Sequence, residues 1–521
     1  MTTVKLVYCF ALLLFGVQFT FAQYDSRVYA DGEMLVKYKK GVDSPAARSM
    51  NAETGATILE EFPDLGWQRV KLPENVDMNQ AMSFYKSNAD VEIAQPNYYY
   101  HLLSTTNDTR FSELYGLQKI SAPAAWDIYT GDRGTVVANI DTGVAYIHED
   151  IAPNIWRNLA EIPGNGIDDD NNGFVDDYYG YDFFYNDSDP VDENGHGTHT
   201  SGTLGAAGNN SLGIVGVTWS VQIMAVKIYS PSGSDTTSTM LINAYNYVRM
   251  MKNRGVNIRV TNNSYGGCGE ACGYDQATKD AIDALGEAGV LQVFAAGNNG
   301  RNIETTPFYP ASYTSPSIIT VAASDQNDSR AGFSNYGASS IDLAAPGVGI
   351  LSAINTNYHS YSSLSGTSMA TPHVTGAAAL LSSYAPNLSA ASLKATLMNS
   401  VDVLPQWNGV VKTGGRLNVA KALQNPTLCT FALSGTSQNV NSAGGSFSLD
   451  VNAPQNCDYS ITPGVNWITA TPVGSGSATV SYTIAANTGA ARTGTISIAG
   501  QTFTVNQAAG TTRRKKTLLS P

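Results

Sequence analysis

Apolar, β-branched runs that stop on a polar residue constrain this chain more than any other feature. Residues 135–140 form one such run, and Asp141 follows at its carboxyl end. A strand that is apolar along its whole length is buried on both faces, which marks a parallel sheet covered by helices. Residues 221–228, 258–262, 290–296, 318–323 and 341–344 read in the same way. Between them, residues 240–253 and 276–287 read as helices, stopped by Gly255 and Gly289. Alternation of this kind predicts an α/β fold with a doubly wound parallel sheet, helices on both faces and functional side chains at the carboxyl ends of the strands.

Three polar blocks fall at such places. Asp141-Thr142-Gly143 closes the first strand, and His196-Gly197-Thr198-His199 opens a helix-like segment of small residues. Gly366-Thr367-Ser368-Met369-Ala370-Thr371-Pro372 leads into an Ala- and Gly-rich helix that runs through Leu380. A hydroxyl nucleophile needs a base to take its proton and a buried carboxylate to fix the imidazole tautomer. Ser368 is the candidate nucleophile, because a helix start favours the negative charge that develops beside it. Pro372 is expected in the first helical turn, where no amide donor is required. His196 is the candidate base. His199, three residues on, would suit a metal only with further ligands nearby, while Ser365 reads as a loop hydroxyl and His373 as packing. A lone Asp-Thr-Gly is as readily a turn-capping carboxylate. Three blocks in the order acid, base, nucleophile carry more weight than any one of them.

Together the blocks resemble the subtilisin-like serine proteases, on the thermitase and fervidolysin side of that family, over residues 104–426. The resemblance implies a serine endopeptidase that cleaves protein or peptide substrates through an acyl-enzyme, with Asp141, His196 and Ser368 catalytic and His199 structural. Past the strand at residues 293–296 lies Gly297-Asn298-Asn299-Gly300. An amide there can donate to a tetrahedral oxyanion beside the backbone N–H of Ser368. Asn299 is the neighbouring alternative, and the family's Ala-Ala-Gly-Asn pattern favours Asn298. The family's cleft strand corresponds to Asn263-Ser264-Tyr265-Gly266-Gly267, so Ser264, Tyr265 and Gly266 are expected to bind substrate backbone, the glycines allowing close approach.

Acidic residues point to calcium. Asp168-Asp169-Asp170-Asn171-Asn172-Gly173 contains the opening of an EF-hand-like loop without its closing glutamate. Asp168, Asp170 and Asn172 are the candidate ligands, and Asp176 and Asp177 can add oxygens. Such a density of like charge is unfavourable without a cation. From the family resemblance comes a second Ca2+ site at Asp108, Asp150 and Asn210, completed by carbonyls near Ala207, Leu212 and Ile214. Asp182, Asp187 and Asp189 form a weaker third candidate.

The flanking regions differ in character. Residues 1–22 read as a signal peptide, with Lys5, an apolar stretch and Thr20-Phe21-Ala22 as the cleavage site. Residues 23–103 are richer in charge and poorer in glycine. Strands at residues 33–38 and 66–72, a helix at 78–87 and a strand from Val91 toward Pro96-Asn97-Tyr98 suggest a small α+β domain. It resembles the family's inhibitory propeptide, which implies a zymogen whose own propeptide is an intramolecular inhibitor, cut near residues 102–106. Residues 427–508 are rich in Ser, Thr, Gly, Asn and Val. Their short alternating runs at 446–451, 479–484, 494–498 and 502–505 read as an immunoglobulin-like β-sandwich. Cys457, Trp467-Ile468-Thr469, Asn487-Thr488-Gly489 and Phe503-Thr504-Val505-Asn506-Gln507 resemble BACON-type domains, which implies a glycan or surface ligand. Residues 509–521 form a basic tail.

Leaving out Cys9 of the leader, four cysteines fall into two local pairs, Cys268 with Cys272 and Cys429 with Cys457, as disulfides suit an oxidising compartment. A net charge of −13 argues against nucleic-acid partners. Beyond the leader no segment reaches a transmembrane length. The expectation is a secreted, extracellular monomer. The competing reading is a catalytically idle binding or adhesion protein in which the sandwich carries the function, and retention of every catalytic residue type weighs against it.

Overall fold

The computed structural model describes residues 29–99, 105–267 and 274–510. They fall into two compact units, one ending at Leu102 and one beginning at Leu103. The expected leader at residues 1–22, the Cys268 and Cys272 pair and residues 511–521 of the expected basic tail at 509–521 lie outside the described residues.

In the N-terminal unit, strands Tyr29–Tyr38, Thr57–Phe62, Trp67–Lys71 and Val91–Tyr98 make one antiparallel sheet, with Tyr29–Tyr38 between Trp67–Lys71 and Val91–Tyr98. Helices Pro45–Thr54 and Met78–Ser87 cover one face, and Met34, Val36, Val70 and Tyr85 form the core. Ser44 and Asp77 cap the two helices through their side chains. The helix Pro45–Thr54 and the strand Thr57–Phe62 are additions to the expected elements. Every residue of that strand is exposed, so no burial pattern announces it.

In the second unit, a nine-stranded sheet runs in the order Asp402–Val403, Gly415–Arg416, Leu343–Pro346, Ile318–Ser324, Leu291–Ala295, Ile258–Asn263, Gly131–Asp141, Ser220–Lys227, Gly180–Asp182. All neighbours pair in parallel except the first two strands, an antiparallel edge. Val137 faces one core with the Thr367–Tyr384 helix, whereas Val136, Ala138 and Ile140 face another with helices Ser238–Asn253 and Gln276–Glu287. Burial on both faces is why these strands read as continuous apolar runs. After Ser220–Lys227 the chain crosses to the other side of Gly131–Asp141. A crevice therefore opens beyond the carboxyl ends of Gly131–Asp141 and Ile258–Asn263, where ligands bind in folds of this kind.

Beyond the helix Val419–Gln424, a four-stranded and a five-stranded sheet pack around Val480, Tyr482, Ile496, Phe503 and Val505 as a β-sandwich. Cys429 and Cys457 are disulfide-bonded, with Cα atoms 5.5 Å apart.

Candidate active site

Asp141 ends its strand with a side chain only 2 % exposed, and His196, 28 % exposed, begins the helix His196–Gly205. Nδ1 of His196 donates to Oδ1 of Asp141 at 2.7 Å. The same oxygen accepts the Thr142 amide at 2.7 Å, and the hydroxyl of Thr200 reaches Oδ2 at 3.2 Å. Burial pulls the imidazole toward its neutral form. The charge of Asp141, its hydrogen bond and the charge of Asp192 outweigh burial and leave His196 above its ordinary value.

Ser368 is the second residue of the helix Thr367–Tyr384. Its hydroxyl donates to the carbonyl of Ser264 at 2.9 Å, and the Ser264 hydroxyl donates back to the Ser368 carbonyl at 2.9 Å. Pro372 explains the second bond. It lies inside the helix, not in the first turn as the sequence suggested. Lacking an N–H, it cannot bond the carbonyl four residues earlier, which is that of Ser368. The freed carbonyl is the one that Ser264 satisfies, so the proline couples the Ser368 turn to the segment that follows the strand Ile258–Asn263.

Asn298 stands beside that turn. Its Oδ1 accepts the amide and hydroxyl of Thr367 at 2.8 and 2.9 Å, which commits the carbonyl side and leaves Nδ2 as the donor. The Nδ2 atom lies against Gly366, 3.4 Å from where a Cβ would stand. Asn299 instead offers its backbone amide to Asn335. The segment from Ser264 to Gly267 continues past the strand Ile258–Asn263, and a Cβ on Gly266 would stand 2.5 Å from Phe308. The hydroxyl of Tyr265 is turned inward, onto Tyr245 and Asn263. Its ring helps line a cavity of about 600 Å3 with Tyr229, Leu241, Tyr309 and Tyr313.

Two further histidines, His199 and His373, are packed away from this chemistry. His199 is fully buried, donates from Nε2 to the Ile350 carbonyl at 2.9 Å, and is pushed down to about 4 by burial. His373 faces the Met369 carbonyl and is likewise pushed down to about 4 by burial. Ser365 accepts from the Gly349 amide, as a loop hydroxyl does.

A profile of the Peptidase S8 subtilase family matches residues 132–420, more than half of the chain. The chain belongs to the subtilase family. Thermitase of Thermoactinomyces vulgaris is 40% identical over 61% of this chain and 99% of its own length. The thermophilic serine proteinase of Bacillus sp. (strain AK1) is 36% identical over 70% of this chain and 81% of its own. Subtilisin Savinase of Lederbergia lenta is 35% identical over 56% of this chain and 93% of its own. Residues 17–97 match the fervidolysin N-terminal prodomain, and residues 458–508 match BACON. This subtilase is therefore a serine endopeptidase that carries a prodomain and a C-terminal BACON domain.

The acidic residues separate into distinct groups. Carboxylate oxygens of Glu161, Asp168 and Asp170 lie within 4.8 Å of one another, a set of hard oxygen ligands that suits Ca2+. Asp170 Oδ1 is buried and accepts no hydrogen bond, with the Arg254 guanidinium 3.2 Å away. Glu161 was not foreseen, because it stands seven residues before the motif. Asn172 donates to Asp170 and Asp177, and Asp177 is buried among Asn158, Asn172 and Tyr247. Burial raises Asp177 to about 6. Asp176 accepts the amides of Asn165 and Gly166. In the second group Asn210 bridges two acids: its amide N–H donates to Asp108 at 3.0 Å and its Nδ2 to Asp150 at 2.9 Å. Burial raises Asp150. In the third, the Lys227 ammonium lies 3.0 Å from Asp182 and 2.8 Å from Glu193, so the protein supplies its own cation there.

Proposed function

We propose that this subtilase is a secreted, calcium-stabilised serine endopeptidase made as a zymogen, with Asp141, His196 and Ser368 as its catalytic residues and Asn298 in the oxyanion hole. The Asp141–His196 contact carries the reading. It fixes the imidazole with Nδ1 occupied, so that Nε2 is the nitrogen able to take a proton. The Ser368 hydroxyl leaves the Ser264 carbonyl by rotation about its Cα–Cβ bond and gives its proton to Nε2. Its oxygen then attacks the scissile carbonyl. Negative charge develops on the carbonyl oxygen, toward Nδ2 of Asn298 and the backbone N–H of Ser368. His196 passes its proton to the leaving amine, and the acyl-enzyme forms. Water then attacks with His196 again as base.

Glu161, Asp168, Asp170 and Asn172 would hold one calcium ion, with Asp176 and Asp177 supporting the loop; Asp108, Asp150 and Asn210 would hold another. A bound ion supplies positive charge that offsets carboxylate repulsion in the folded state. The prodomain is read as an intramolecular inhibitor removed near residues 102–106, and the leader at residues 1–22 as the export signal. Among the described residues no helix is long and apolar enough to cross a membrane. A glycan or surface ligand for the sandwich rests on the BACON match alone. The aromatic wall of the 600 Å3 cavity favours substrates with a bulky apolar side chain. The test is casein hydrolysis together with fragment masses for the full-length chain and Ser368→Ala in calcium. Hydrolysis and maturation by the chain but not by the variant are expected. Equal activity in both would overturn the assignment.

A further inference from the structure

The hydrogen bonds around the acid and the base converge on a third carboxyl group that the mechanism above does not use. Asp192 is 4 % exposed and lies four residues before His196. Its Oδ1 accepts the hydroxyl of Thr142 at 2.9 Å and the amides of Asn194 and Gly195 at 2.9 and 2.8 Å. Its Oδ2 accepts the amide and hydroxyl of Thr198 at 2.8 and 2.6 Å. Thr142 is the residue after Asp141, and its Oγ1 also accepts the Gly197 amide at 2.9 Å. Thr198 in turn accepts the Ala145 amide at 2.9 Å. One carboxylate therefore joins the turn that carries the acid to the helix start that carries the base.

We propose that Asp192 is a positioning residue of the peptidase, a buried carboxylate that locks the His196 turn onto the Asp141 turn and places a second negative charge behind the imidazole. The proposal rests on the catalytic reading given above. Among the described residues no cationic side chain bonds to Asp192. Burial raises Asp192, and the hydrogen bonds from Gly195, Thr198 and Thr142 oppose that shift; in its charged form it favours the imidazolium that forms when His196 takes the serine proton. Besides Asp192, the charged or titratable groups that interact with His196 among the described residues are Asp141 and the buried, neutral His199.

The experiment separates charge from geometry. Asp192→Asn removes the charge and turns an amide N–H toward donors; the Thr142→Val/Thr198→Val double variant keeps the charge and removes the two hydroxyl bonds to Asp192 together with the two that these hydroxyls accept from the Gly197 and Ala145 amides. Each is made in the full-length chain, with competent sites counted by titration with a sulfonyl fluoride. For Asp192→Asn, kcat should fall by about tenfold or more with KM within about twofold, and the acid limb of the pH profile should move down by about half a unit. For the double variant, kcat should fall about as far while the acid limb stays in place. An unmoved acid limb in Asp192→Asn overturns the electrostatic part, and undiminished kcat in the double variant overturns the positioning part. Should Asp192→Asn not fold, the double variant still decides positioning. Ser368→Ala serves as the control: if it is inactive while both other changes are silent, only the role of Asp192 falls, whereas an active Ser368→Ala removes the catalytic reading itself.

Discussion

At the scale of residues, the proposed triad of Asp141, His196 and Ser368 should act as a unit, and the measurable consequence is non-additivity. Ser368→Ala, His196→Ala and Asp141→Asn should each lower kcat by at least about a thousandfold, and pairs of changes should cost little more than the worst single one. Steady-state kinetics on a peptide substrate checks this; losses that multiply would mean independent roles. The proton affinity of His196 gives a second expectation. Only the neutral imidazole can accept the serine proton, and Asp141 and Asp192 together hold His196 above its ordinary value. The acid limb of kcat/KM should therefore have its midpoint above about 6.5, with activity lost as pH falls through it. A midpoint well below that value would contradict the electrostatics of the site. The Asp141–His196 contact was legible, because each residue has a fixed chemical identity within a short motif; the catalytic roles of Ser368 and Asn298 stand as proposals. Asp192 and Glu161 were not legible. Asp192 lies in an acid-rich stretch that read as metal-directed, yet it is bonded to backbone amides and hydroxyls, and sequence does not distinguish a carboxylate facing an ion from one facing an amide.

At the scale of elements, the helices His196–Gly205 and Thr367–Tyr384 each bury a neutral histidine, His199 in one and His373 in the other. Burial holds both at about 4 in the folded state. A depressed histidine contributes stability that is fully present above its unfolded value near 6.5 and is lost as pH falls toward the folded value. Melting temperature should thus drop between about pH 6.5 and 4 even with calcium in excess, and His373→Gln should flatten that drop; a pH-independent melt over this range would refute it. The acidic loops proposed to bind calcium add an independent dependence. An ion that binds only the folded state, at a hundred times its dissociation constant, stabilises by about 2.7 kcal/mol. Chelator should lower the melting temperature and speed self-digestion, and Asp168→Asn with Asp170→Asn should weaken that response while turnover in calcium survives. A chelator-insensitive unfolding curve would return both acidic groups to ordinary surface. The long buried strands and the helices were legible in the apolar pattern. Two-residue strands such as Gly415–Arg416 were not, since they are too short to show a period. Pro372 misled because its missing amide serves a side-chain contact with Ser264 that local sequence does not announce.

At the scale of the whole molecule, the joint between the catalytic domain and the sandwich is built to hold. Lys394 lies on the catalytic-domain helix Ala390–Asn399 and is 5 % exposed; its ammonium is 2.8 Å from Asp458 of the sandwich and 3.8 Å from Asp342 at the sheet edge. The same helix offers Thr396 and Ser392 hydroxyls to the amides of Thr427 and Cys429, at 2.8 and 3.0 Å. Asn399 accepts from Asn456 at 2.7 Å, one residue before the disulfide partner Cys457. One helix therefore grips both the linker and the turn to which the disulfide ties it. Removing one member of a buried ion pair leaves uncompensated charge and costs about 3–5 kcal/mol, while an apolar replacement of similar length that also removes the acid is far milder. In a Ser368→Ala background, which excludes self-digestion, Lys394→Ala should split the calorimetric transition and open the linker around residues 425–430 to an added protease. Lys394→Met with Asp458→Leu should restore a single transition. A cooperative, protease-resistant Lys394→Ala would mean that the linker bonds and the disulfide hold the joint alone, and then Cys429→Ser with Cys457→Ser should be the change that releases it.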